Sequence, residues 1–216
     1  MPRKNNPQQT VENIIAVSKE LFIEKGFDKT SMQDIVSALG MSKGAIFHHF
    51  KSKEDIFNAV INRHFENAES KAYEYIAELK GLNAKEKMII SFEKFVEYTR
   101  IQPLDRIVSS KMQNPHIIKA CLDGVNNSSV IISELIREGI EDGSVATEFP
   151  DECAHVLSLL FNIWCDPAIF KCDTQTLRKR FKFIQYLTKK LGVDIVSDKF
   201  IDEYIKLMEE LYKEEQ

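Results

Sequence analysis

Nowhere in this chain do about 18 apolar residues run together, so no membrane-spanning helix is expected. Glycine and proline are scarce, eight and six in 216 residues. They fall between periodic segments rather than within them. Alternation of apolar and polar residues is nowhere sustained, which removes the usual mark of half-buried strands. The four cysteines, Cys121, Cys153, Cys165 and Cys172, show no CxxC pairing and sit in apolar segments of helical pattern. That argues against zinc ligation and a disulfide framework, and for reduced core thiols in a cytoplasmic protein. Residues 1–9 lack the apolar segment of a secretory signal, in keeping with that location. A nucleophile elbow, a Gly-rich phosphate loop, an HExxH pair and diagnostic carboxylate pairs are all missing, so neither catalysis nor a cofactor is expected.

What remains is a chain 44% apolar and 29% charged, ample for a substantial core in one or two domains. Its periodicity is helical almost throughout. Thr10 can cap a first helix running to Lys25, with Val11, Ile14, Ile15, Leu21 and Phe22 on its buried face and Gly26 as its stop. The polar tail at residues 1–9 is expected to be disordered. Ser52 and Asp55 make a capping box for a long helix to about Leu79. Further helices are expected over 84–100, 104–112, 115–142, 150–169, 174–191 and 198–213, with Pro103, Pro115 and Pro150 in first turns, where a missing N–H costs nothing.

Residues 30–54, TSMQDIVSALGMSKGAIFHHFKSKE, carry the most information. Thr30 and Ser31 are N-cap candidates, matched three residues on by Gln33 and Asp34. Ile35, Val36 and Leu39 make a helical stripe. Gly40 stands where the chain must bend sharply, and Ser42 can cap a second short helix from Lys43 to Phe50. Helix, glycine turn, helix is the helix-turn-helix pattern, whose second helix enters the DNA major groove. The charge distribution agrees. Residues 1–53 hold eight lysines and arginines against five acidic residues, net +3, while the remainder holds 21 against 28, net −7. A basic head on an acidic body places the phosphate-attracting surface at one end.

These residues resemble the TetR family of bacterial one-component regulators. The likeness rests on Thr10, Leu21-Phe22, Gly26-Phe27, Thr30-Ser31, Asp34-Ile35, Gly40, Ser42-Lys43-Gly44, Phe47, His49-Phe50 and Ser52-Lys53-Glu54. It implies an all-α protein with a helix-turn-helix DNA-binding domain at residues 1–53 and a larger helical effector-binding and dimerisation domain at 54–216. It also implies a homodimer on near-palindromic double-stranded operator DNA, with an intermolecular four-helix bundle from helices 150–169 and 174–191 (Val156, Leu160, Phe181, Ile184, Leu187). The resemblance stops being motif-specific beyond residue 60.

The DNA-contacting candidates are Thr30, Ser31, Gln33, Ser42, Lys43, Gly44, Ala45, Phe47, His48, His49 and Lys53. Small residues at the start of the second helix let its N-terminus approach phosphates and base edges. Lys43 serves guanine or phosphate, with phosphate or mixed contact favoured. Ala45 can touch a thymine methyl. Phe47 stands where the family often has tyrosine and has no hydroxyl to give a phosphate. By resemblance Lys53 is a phosphate lysine. His48 and His49 do not read as metal ligands, because neighbours on a helix diverge by about 100°. Arg3 and Lys4 could reach a minor groove or be idle.

The body carries more aromatic and soft side chains than a spacer needs. Phe92, Phe95, Val108, Met112, Cys121, Leu135, Phe161 and Trp164 are candidate walls for a small apolar or amphipathic effector, with Tyr98, Gln113, His116 and Asn162 as polar candidates. The competing reading is a DNA binder of the same fold without such an effector, controlled by a protein partner or acting in chromosome organisation.

Overall fold

The computed structural model describes residues 6–100, 103–167 and 169–213, apart from the side chains of 98–100, 103, 105, 106, 109 and 211–213. The described residues are helical, with no strand among them. Ten α-helices follow in order among the described residues: α1 (Pro7–Lys25), α2 (Met32–Leu39), α3 (Lys43–His49), α4 (Lys53–Glu78), α5 (Ala84–Arg100), α6 (Pro103–Ser110), α7 (Pro115–Glu141), α8 (Pro150–Leu159), α9 (Thr174–Lys190) and α10 (Asp198–Lys213). A π-helical turn, Leu160–Trp164, extends α8. Among the described residues no helix is long and apolar enough to cross a membrane.

Two compact units form, and they do not follow chain order. The first comprises Met1–Glu66 and Pro103–Ile117, the second Asn67–Gln102 and Ile118–Gln216. In the first unit Ile14, Phe22, Ile35, Ile46, Ile56 and Phe57 are fully buried. They come from α1 to α4, so each short helix of the helix-turn-helix is nailed to the longer ones by one isoleucine. Helix α6 packs on α1 and adds Leu104 and Val108 to this core. An ion pair from Arg63 of α4 to Glu12 of α1, 2.7 Å, ties those two helices on the outside. Truncating Phe22 to alanine would cost about 3–5 kcal/mol, the usual range for a buried aromatic.

The second unit is centred on rings. Phe181 of α9 meets Phe200 and Tyr204 of α10 at centroid separations of 5.5 and 4.8 Å. Helix α10 packs on both α9 and α5, closing this core.

Two helix ends differ from the expectations. Helix α1 starts at Pro7, capped by Asn6, whose side chain accepts from the Gln8 N–H at 3.2 Å. Thr10 is therefore not the cap. Its hydroxyl donates back to the Asn6 carbonyl at 3.3 Å within the first turn. An Asn-Pro pair is itself a helix start, with proline preset for the first position. Helical order thus covers residues 7–9 of the expected tail, and residues 1–5, with Arg3 and Lys4, lie outside the described residues. The second difference is the end of α8. Helical structure stops at Trp164 instead of reaching Ile169, because Pro167 disfavours helical backbone at Asp166 and removes an N–H. The last turn is π-helical, with the Cys165 N–H donating five residues back to the Leu160 carbonyl at 2.9 Å.

Candidate nucleic-acid interface

Local chemistry builds the helix-turn-helix. Gly26, at φ 81°, ends α1 and donates to the Phe22 carbonyl at 3.0 Å. Ser31 caps α2: its hydroxyl accepts from the Asp34 N–H at 3.1 Å, and the Asp34 carboxylate accepts from the Ser31 N–H at 2.8 Å. The same carboxylate takes the Lys25 ammonium at 2.8 Å. Lys25 and then Ser31 hold the Asp34 carboxyl far below the ordinary carboxylate range. Gly40 turns the chain in the left-handed conformation, φ 61°, where a side chain would be strained. Ser42 then caps α3, accepting from the Ala45 N–H at 3.3 Å.

Helix α3 has two faces. Ile46 is buried, and Phe50 just beyond the helix seals the core beneath it. Ser42, Lys43, Gly44 and His48 are exposed, and Ala45, Phe47 and His49 are half-buried. This outer face is small at its first turn and ring-bearing at its last. A Cβ added at Gly44 would meet nothing within 4 Å. Lys43 reaches along the helix so that its ammonium lies 5.5 Å from the Phe47 ring centre. The imidazoles of His48 and His49 meet edge to face at 5.1 Å. Lys51 closes the far end by donating to the Phe47 carbonyl at 3.0 Å.

Three candidates have other duties. Thr30 is buried, and its hydroxyl donates to the Gly26 carbonyl at 2.8 Å, so it braces the turn from inside and offers DNA no side chain. Gln33 is exposed but bonds Ser37, one turn on, at 3.4 Å. Lys53 points inward. Its ammonium donates to the Phe27 carbonyl at 2.7 Å and lies 4.2 Å from the centre of the Phe27 ring. That carbonyl lies in the turn after α1, and Lys53 gives it a donor where a phosphate contact was expected.

The effector candidates divide between the units. Val108 and Met112 are buried in the first unit, which also holds exposed His116. Gln113 is exposed there too. In the second unit Leu135 is buried in the core and Phe95 faces outward at 48% exposure. The Tyr98 side chain lies outside the described residues. Phe92 and Phe161 stack at 4.8 Å and both meet Phe200, at 5.7 and 5.8 Å, which joins them to the ring core. Helical spacing shows only that such residues face inward.

The π turn gathers the rest. It carries Phe161, Asn162 and Trp164. The Asn162 amide donates to the Ser158 carbonyl at 2.9 Å. The Ser158 hydroxyl is fully buried and has no hydrogen-bond partner among the described residues. Cys121 of α7 is near enough to the Asp166 carboxylate, just past the turn, to feel it. Burial first, then Asp166, pushes the Cys121 thiol up to about 11. Sequence reasoning missed the turn and the serine, since nothing in a periodic apolar run marks a five-residue register.

Comparison with known proteins bears on this geometry directly. Residues 14–60 match the family model of bacterial regulatory proteins, tetR family. The HTH-type transcriptional regulator UidR of Escherichia coli K12 is 25% identical over 186 residues, 86% of this chain and 92% of its own. The HTH-type transcriptional regulator QacR of Staphylococcus aureus is 41% identical over 51 residues, 24% of this chain and 27% of its own. Among solved structures, a TetR-family transcriptional regulator from Pectobacterium atrosepticum matches with a TM-score of 0.66 at 19% identity, covering 86% of this chain and 95% of that one. That likeness is one of fold. The named relatives are transcriptional regulators, not enzymes.

Proposed function

Because the chain belongs to the TetR family of bacterial regulatory proteins and is a DNA-binding transcriptional regulator, we propose that it acts as a homodimeric repressor released from its operator by a small apolar or amphipathic ligand. The observation that carries the DNA side is the outer face of α3. Ser42, Lys43 and Gly44 stand exposed at a helix N-terminus, where unpaired N–H groups and the positive end of the dipole favour phosphate, and Phe47, one turn on from Lys43, and the exposed His48 follow toward the other end.

Exposed apolar residues on α8 and α9 support the dimer. Val156 and Leu159 on α8 and Phe183 and Tyr186 on α9 are 43%, 43%, 52% and 62% exposed. They follow helical spacing on helices that otherwise carry charge outward. A second copy is the occupant proposed for these residues, since one recognition helix reads too few base pairs to find a site in a genome. Phe181 and Ile184, expected in the same bundle, are instead fully buried in their own chain's core.

Support for a ligand site comes from the π turn. A buried hydroxyl without a partner costs free energy that a ligand's polar group would recover. Ser158 is such a hydroxyl, one turn from Phe161, and π turns recur at functional sites. Phe161, Asn162 and Trp164 offer rings and a neutral amide, with Arg180 and Asp166 at the end of the turn, which suits an amphipathic molecule. Selection of duplexes from a randomised pool tests the reading. A repressor of this kind enriches a near-palindrome, and a flat pool contradicts it.

A further inference from the structure

The segment Pro103–Ile117 is compact with the DNA-binding helices, although some fifty residues of chain separate them. Its end carries an ion pair to the turn before the helix-turn-helix. The Lys111 ammonium, just past α6, donates to both carboxylate oxygens of Asp28, at 2.9 and 2.7 Å, and lies 5.7 Å from the Phe27 ring centre. Phe27 and Asp28 form the turn between α1 and α2. Lys53 grips the same turn through the Phe27 carbonyl and ring. Phe27 in turn packs at 4.5 Å on Phe57 of α4 and at 5.4 Å on Phe22 of α1. One aromatic ring therefore collects α1, α4 and the α6–α7 loop at the point where the chain enters the helix-turn-helix.

We infer that Lys111 is a positioning residue for DNA recognition: its clamp on Asp28 and Phe27 fixes the pose of the helix-turn-helix. The segment that carries Lys111 is joined on both sides, through α5 and α7, to chain of the second unit. The inference rests on the DNA-binding reading above. The clamp adds little to folding, because the pair is exposed, 32% on Lys111 and 75% on Asp28. Its effect is on order. A helix-turn-helix free to tilt must be immobilised on binding, and that ordering weakens the specific complex.

Charge alone and positioning predict opposite signs, which makes the test sharp. Asp28→Asn removes a negative charge from the DNA-binding end, so a purely electrostatic role tightens binding. Lys111→Met removes a positive charge and weakens it. Positioning predicts that both weaken affinity for a duplex selected by the wild-type protein, by about three- to tenfold, and that the double variant is no weaker than the weaker single. Lys111→Arg, which keeps the pair, should retain affinity, and it serves with Lys111→Met if Asp28→Asn does not fold. Melting temperatures should stay near that of the wild type. Tighter binding by Asp28→Asn, unchanged affinity in the single variants, or simple addition of their losses in the double would overturn the inference. Wild-type selection of the duplex tests the DNA-binding reading separately, before any variant is made.

Discussion

Arg180 of α9 donates to the main-chain carbonyl of Trp164 at 2.7 Å while its guanidinium lies 5.4 Å from the Trp164 ring centre. It donates also to the Phe170 carbonyl at 3.1 Å. One side chain thus closes the end of the π turn and the loop after it against α9. Trp164 is the only tryptophan. Its fluorescence therefore reports this corner without labelling. Arg180→Gln should redden Trp164 emission, as the indole loses its cover. An amphipathic compound that binds the π turn should change the emission saturably in the wild type. If it also represses nothing and releases nothing, the partner-controlled reading gains.

Gly44→Ala separates stability from function. Alanine is favoured over glycine in a helix by about 1 kcal/mol, and nothing within 4 Å opposes the added Cβ. Thermal melting should show a slightly more stable protein. Operator titration should show weaker binding, because the added methyl stands where helix and phosphate backbone approach. A stabilised variant with undiminished affinity would place the DNA elsewhere.

The two lysines should part company. Lys43→Ala is expected to leave stability unchanged and to reduce the slope of log affinity against log salt by about 0.9, one phosphate contact. Lys53→Ala removes the donor to the Phe27 carbonyl and should lower stability by about 1–2 kcal/mol. Melting curves and titrations at several salt concentrations distinguish these outcomes.

The Asp34 capping box should make the helix-turn-helix acid-sensitive. Its carboxyl is held down by Lys25 and Ser31 when folded, against 3.8 ordinarily. A depressed carboxyl adds stability above its unfolded value and loses it as pH falls through the folded one. The stability gap between wild type and Asp34→Asn should therefore be constant above about pH 4 and shrink below it. Chemical denaturation across that range measures it, and a gap independent of pH would show that the ion pair and cap contribute nothing.

Much of this molecule was legible beforehand because its signals are local. Ser31 with Asp34, Gly40, Ser42, and Ser52 with Asp55 are short-range devices whose chemistry reads directly from residue type and spacing. The Asp55 N–H meets the Ser52 hydroxyl at 3.0 Å and the Ser52 N–H meets the Asp55 carboxylate at 3.1 Å, as a capping box requires. The helix ends that moved had local signals too, in Asn6-Pro7 and Pro167. What stayed hidden is long-range. That α6 belongs with α1 depends on packing between distant segments, and the partner of Lys111 follows from it, while Lys53 reaches a turn 26 residues back. Phe92 and Phe161 likewise cannot be told from cavity walls by periodicity, since a core and a ligand both want rings facing inward.

Phe183→Glu tests the dimer with little risk to the fold, because the ring is half exposed in the isolated chain. Light scattering should find the wild type dimeric at micromolar concentration and the variant monomeric, with equal helix content by circular dichroism. Phe181→Glu, two residues earlier, should instead unfold the protein.

The most direct measurement is the stoichiometry and salt dependence of binding to the duplex enriched from a randomised pool, determined by titration with light scattering of the complex. The account predicts two chains on one near-palindromic duplex, affinity that falls steeply with salt, and a shallower fall for Lys43→Ala. A single chain per duplex, or a salt slope that Lys43→Ala leaves unchanged, would contradict it.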